Sequence, residues 1–133
     1  MGAWGIGNFE NDTALDWISE LIYNTRSDFI EESIEKVLIK EKYLDYDDCC
    51  SALAASEIIA SLRGNPPNEL PEEAEDWIRK KTIQISEELT KKAIEAVNRI
   101  KEDSELKDLI EEDTEDIDLW LNTINDLISR LNT

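Results

Sequence analysis

Residues 102 to 118, EDSELKDLIEEDTEDID, hold ten carboxylates and one lysine, a net charge of −9 that is half of the chain's −18. Carboxylates at this density can ligate a divalent cation, work in pairs as general acid and base, or attract a basic partner. Calcium needs several oxygens converging from a tight loop, and neither DYDDCC nor EEDTEDID has the glycine and terminal glutamate spacing of an EF-hand. Two-metal sites in helical bundles use Glu-x-x-His, and the chain has no histidine. Carboxylate-only magnesium chemistry, as in a metal-dependent hydrolase, stays open as an alternative. With 32 acidic residues, no particular acid-base pair stands out. The patterns therefore point to no catalytic residue, no metal site and no cofactor.

Attraction of a basic partner is the stronger reading. On a helix, Glu105, Asp108 and Glu112 share a face, where like charges at these spacings oppose helix formation by a few tenths of a kcal/mol each. Glu105, Glu115 and Asp116 fall in first turns, where the helix dipole favours them, so one reading is a solvated, dipole-stabilised surface. The other is a binding face of Glu105, Asp108, Glu112, Asp113 and Asp116 turned toward a basic protein, with Asp45, Asp47 and Asp48 as the next surface to consider. Across the chain, 32 acidic against 14 basic side chains repel nucleic acid and anionic membranes, so neither is an expected partner. The expected function is an acidic protein-binding module, such as an immunity or inhibitor protein that neutralises a basic toxin or nuclease by presenting carboxylates. The alternatives are the hydrolase above and an oligomeric helical scaffold, and the oligomeric state is left open.

The other reactive side chains are the adjacent Cys49 and Cys50. Neighbouring side chains on a helix diverge by about 100°, which prevents a disulfide between them. They read as reduced, partly buried thiols in a cytosolic setting, made less reactive by Asp47 and Asp48.

Apolar spacing supplies the elements that must position these groups. Ala14, Trp17, Ile18, Leu21 and Ile22 mark a helix over 12 to 24, capped by Asn11 or Asp12. Ser27 caps a second helix to about Lys42, with the stripe Ile30, Ile34, Val37 and Leu38. From Asp47, a third helix buries Leu53, Ala54, Ala55, Ile58, Ile59 and Leu62, and its alanines make it the central one. Gly64 fits a left-handed C-terminal cap, and the prolines of NPPNELP form an interhelical loop. Pro71 opens a fourth helix through Ala74, Trp77 and Ile78, while TIQIS, 82 to 86, has no strand partner and reads as a connection or helix start. Leu89, Ala93, Ala96, Val97 and Ile100 mark a fifth helix, and a short sixth follows Ser104. The last runs from Thr114 through Trp120, Ile124, Leu127 and Leu131. Trp17, Trp77 and Trp120 are expected in the core. The sum is all-α, one domain over 1 to 133 with six or seven helices.

The opening MGAWGIGNFENDTALDW places Gly2, Gly5 and Gly7 around Trp4 and Phe9. The glycines allow a close-packed arm and the aromatics anchor it, giving a strap over the helical core. A phosphate loop would need a preceding strand and a nearby basic residue, and has neither. This opening, together with SALAASEIIASLRGNPPNELPEE, resembles a family of small, mostly bacterial proteins known as a domain of unknown function, number 4259 in its series. The resemblance implies a stand-alone bacterial domain and carries no site residues with it. No basic, apolar leader and no membrane-length apolar run is present, so a cytoplasmic location is expected.

Overall fold

The computed structural model describes residues 5–23, 28–39, 41, 43–81, 83–112 and 115–133. These form seven helices and no strand: α1 (Asp12–Tyr23), α2 (Phe29–Leu38), α3 (Tyr46–Leu62), α4 (Glu72–Lys80), α5 (Glu87–Glu102), α6 (Glu105–Glu112) and α7 (Ile117–Leu131). Four of them start where a side-chain oxygen takes an otherwise unpaired backbone N–H. Ala14 donates to Asn11 Oδ1 at 2.7 Å and Asp48 to Asp45 Oδ1 at 2.9 Å. Leu89 donates to Ser86 Oγ and Lys107 to Ser104 Oγ, each at 3.1 Å. The segment read as a connection or helix start rather than a strand thus ends as the cap of α5.

α3 packs against all the other helices. Its alanines at 52, 54, 55 and 60 are fully buried, which lets neighbouring backbones come close on every side. It ends in a Schellman motif: Asn65 N–H reaches Ala60 O at 2.8 Å and Gly64 N–H reaches Ser61 O at 3.0 Å. Gly64 has a φ of +96°, the left-handed conformation expected of it.

α2 stops at Leu38, short of the expected Lys42. The reason lies across the core: the Arg99 guanidinium from α5 donates to the Val37 and Leu38 carbonyls, taking up the last acceptors of the helix. Lys92 also links α5 to α2, lying 3.2 Å from Glu31 and 2.9 Å from Glu35. The expected cap Ser27 lies outside the described residues, and Asp28 occupies the cap position of α2.

Trp17 and Trp120 are buried as expected, and Trp17 stacks on Phe29 with ring centres 5.3 Å apart while its indole N–H donates to Ser33 Oγ at 2.7 Å. Trp77 differs. It is half-buried on the short α4, whose charged residues leave only Ala74 fully enclosed, and Lys81 Nζ lies 5.6 Å from its ring centre. None of the described helices is long and apolar enough to cross a membrane.

Candidate functional site

The N-terminal ends of four helices converge, and most of the singled-out carboxylates sit there. Thr13 at the start of α1 donates its hydroxyl to Asp47 of α3 at 2.9 Å. Tyr46 N–H, at the start of α3, donates to Glu105 Oε1 of α6 at 2.6 Å, and Glu105 N–H donates back to Leu44 O at 2.9 Å. Asp108 accepts from the Tyr43 hydroxyl. That bond, followed by desolvation and neighbouring carboxylates, pushes the Tyr43 phenol up to about 12. Asp116 occupies the cap position of α7, whose Trp120 N–H meets its carbonyl at 2.9 Å. The acidic stretches 45–48 and 102–118 are thereby joined on one end of the molecule. Neither α1 nor α3 contains a lysine or arginine, and Lys107, the lone cation of the 102–118 stretch, is held by the Glu102 carbonyl at 3.1 Å and Glu111 at 3.6 Å.

Of the five proposed contact residues, Glu105, Asp108 and Asp116 lie at this junction, and Glu112 is exposed at the far end of α6. Asp113 lies outside the described residues. Among the described residues, no three Cys, Asp or Glu side chains are grouped so as to hold a metal ion.

The glycine arm explains how the opening meets this junction. Glu10 folds back so that its Oε1 accepts from Gly7 N–H at 3.0 Å, and Glu10 N–H returns to Gly7 O at 3.0 Å. A Cβ on Gly5 or Gly7 would come within 2.5 Å of the Glu10 carboxylate, so the close approach the glycines permit is to a side chain. Asn8 turns inward. Its Nδ2 donates to Glu57 Oε2 at 2.7 Å, while its Oδ1 is buried without a hydrogen-bond partner. Phe9 is half-buried against the core, as a strap requires, and Trp4 lies outside the described residues.

Glu57 is 3 % exposed in the middle of α3, and Arg130 of α7 clamps it from 2.7 and 3.1 Å. Arg130 also reaches Asp126 at 2.8 Å and the Asn65 carbonyl at 3.3 Å. Burial works against its charge, but the bonds and proximity to Glu57 and then Asp126 outweigh burial and raise its pKa. Sequence reasoning missed this cluster. The signal was available: the helical neighbours of Glu57 at three and four residues, Leu53, Ala54, Ala60 and Ser61, leave no solvent face for a carboxylate.

Two clefts flank the arm, and Gly7 and Asn8 line both. One, of about 350 Å³, lies at the helix junction between Ile6, Leu53, Leu106, Leu109, Ile110 and Trp120. The other, of about 510 Å³, is bordered by Glu57, Asp126 and Arg130. Cys50 touches the first cleft, but burial pushes both its thiol and that of Cys49 up to about 12, which disfavours the thiolate.

A family model described as Domain of unknown function (DUF4259) matches residues 2–123. No curated protein and no solved structure matches the chain.

Proposed function

The chain belongs to the family of that domain, whose description assigns no activity, and from this premise we propose that it is a protein-binding module that captures a basic protein on its carboxylate-rich end. The observation that carries this reading is the position of Glu112. Carboxylates at the starts of α1, α3, α6 and α7 have a structural reason to be there, because the positive end of each helix dipole favours them. Glu112 ends α6 at the negative end of its dipole, exposed and with no basic residue in that turn, whereas Glu111 beside it is offset by Lys107 at 3.6 Å. A charge so placed costs the isolated protein about 0.3–1 kcal/mol. A cost without a structural return is what a charge kept for a partner looks like.

In its most specific form the proposal is an immunity or inhibitor protein of a bacterial cytoplasm, acting on a basic toxin or nuclease. Clustered carboxylates substitute for a phosphate backbone and accelerate encounter with a cationic active-site groove. The test is capture from the source cytoplasm at low and moderate salt, comparing the native protein with a variant carrying Glu105→Gln, Asp108→Asn, Glu112→Gln, Asp113→Asn and Asp116→Asn. The amides keep an oxygen for Tyr46 N–H and the Tyr43 hydroxyl, so folding should survive. A basic protein retained by the native form at low salt and lost by the variant supports the proposal. Equal retention by both, with equal salt response, refutes it.

A further inference from the structure

We propose that the cleft of about 350 Å³ at the helix junction is an anchoring pocket for an apolar side chain carried on a basic segment of the partner. The proposal rests on the capture reading above and adds what that reading lacks, a place where binding becomes specific. Charge speeds encounter, but affinity and selectivity usually come from a few apolar anchors seated in pockets.

Three features define the occupant. The volume is at the small end of the roughly 300–1,000 Å³ of ordinary ligand pockets, which suits a single large side chain. The walls are apolar: Leu53, Leu106, Leu109, Ile110 and Trp120 from α3, α6 and α7, closed by Ile6 of the arm. The polar residues on the wall include Asp116 and Asn8, and the Asn8 Oδ1 has no hydrogen-bond partner although Asn8 is only 7 % exposed. The Asn8 oxygen accepts hydrogen bonds, and the negative charge of Asp116 disfavours an anion. A peptide N–H or a lysine or arginine head beside the apolar group supplies the matching donors. The same α6 that lines the cleft with Leu106, Leu109 and Ile110 carries Glu105, Asp108 and Glu112, so a segment steered by charge arrives at the mouth of the pocket.

The experiment titrates the full chain with short synthetic peptides in which lysine and arginine flank a central phenylalanine, a central alanine, or in which neutral residues flank the phenylalanine. The basic phenylalanine peptide should bind at least about tenfold more tightly than the basic alanine peptide, the gain expected for burying an aromatic side chain. Leu109→Trp, which fills the cleft from a half-buried position, should erase that difference and leave the alanine peptide unaffected. In the native protein, the Trp120 indole and Asn8 amide resonances should shift with the phenylalanine peptide and not with the alanine one, a readout that does not depend on the variant folding. Equal affinity for phenylalanine and alanine peptides, or shifts that avoid Asn8 and Trp120, would overturn the pocket while leaving charge-driven capture standing. Equal affinity for basic and neutral flanks would instead contradict charge-driven capture and the basic half of the occupant.

Discussion

Glu112 and Arg130 carry charge for opposite reasons, and single substitutions separate them. Glu112→Gln removes a carboxylate from the unfavourable end of α6, so the variant should be more stable by about 0.5 kcal/mol while holding a basic partner less well. The check is a shift of the urea midpoint to higher concentration with unchanged slope. Arg130→Met leaves Glu57 charged and enclosed with Asn8 as its remaining close donor, and should cost about 3 kcal/mol in the same measurement. Replacing both Glu57 and Arg130 by leucine should recover much of that loss, because an absent ion pair leaves no buried charge. Alkaline stability tests the buried thiols. Folding raises Cys49 and Cys50 from an ordinary value near 9 to about 12, so the unfolded chain loses those protons first. The folded state then binds more protons, and stability falls as pH climbs from about 9 through about 12. Tyr43, raised from 10 to about 12, adds to the upper part of that window. Melting temperatures across this range should fall less steeply in a Cys49→Ala, Cys50→Ala variant. At this scale the sequence was least transparent. Glu57 meets Arg130 across 73 residues and Asp108 meets Tyr43 across 65, separations at which no local pattern pairs one carboxylate with its partner.

Helix stripes and caps were legible because they depend on residues three and four apart. Ala14, Trp17, Ile18 and Leu21 on α1, and Trp120, Ile124, Leu127 and Leu131 on α7, are buried as their spacing requires. What escaped was set by other helices: the early end of α2 under Arg99, and the half-exposed Trp77 on an α4 too charged to sink into the core. The loop after α3 offers a backbone test. Gly64→Ala meets no neighbouring atom within 4 Å, so its whole effect comes from the left-handed φ of +96° and should be about 1 kcal/mol of destabilisation. The arm offers a packing test. Phe9→Ala should lower stability by about 2 kcal/mol, below the loss for a fully enclosed phenylalanine. An unchanged denaturation midpoint in that variant would remove Phe9 from the strap.

At the scale of the whole molecule, 32 acidic and 14 basic side chains are unevenly arranged. Lys92, Arg99 and Arg130 tie α2, α5, α3 and α7 together, and α1 and α3 bring no lysine or arginine to the junction of α1, α3, α6 and α7. The composition announced the net charge, and the fold joins two of its acidic stretches, 45–48 and 102–118, through the contact of Tyr46 with Glu105. Steering by such a field acts on association more than on dissociation and weakens with salt. The most direct measurement is therefore the association rate of the captured basic partner over a range of ionic strength, for the native protein and for the five-residue amide variant. The account predicts association at low salt slowed by about tenfold or more in the variant, with a flattened salt dependence and a nearly unchanged dissociation rate. Identical association rates and salt slopes for the two proteins would contradict it.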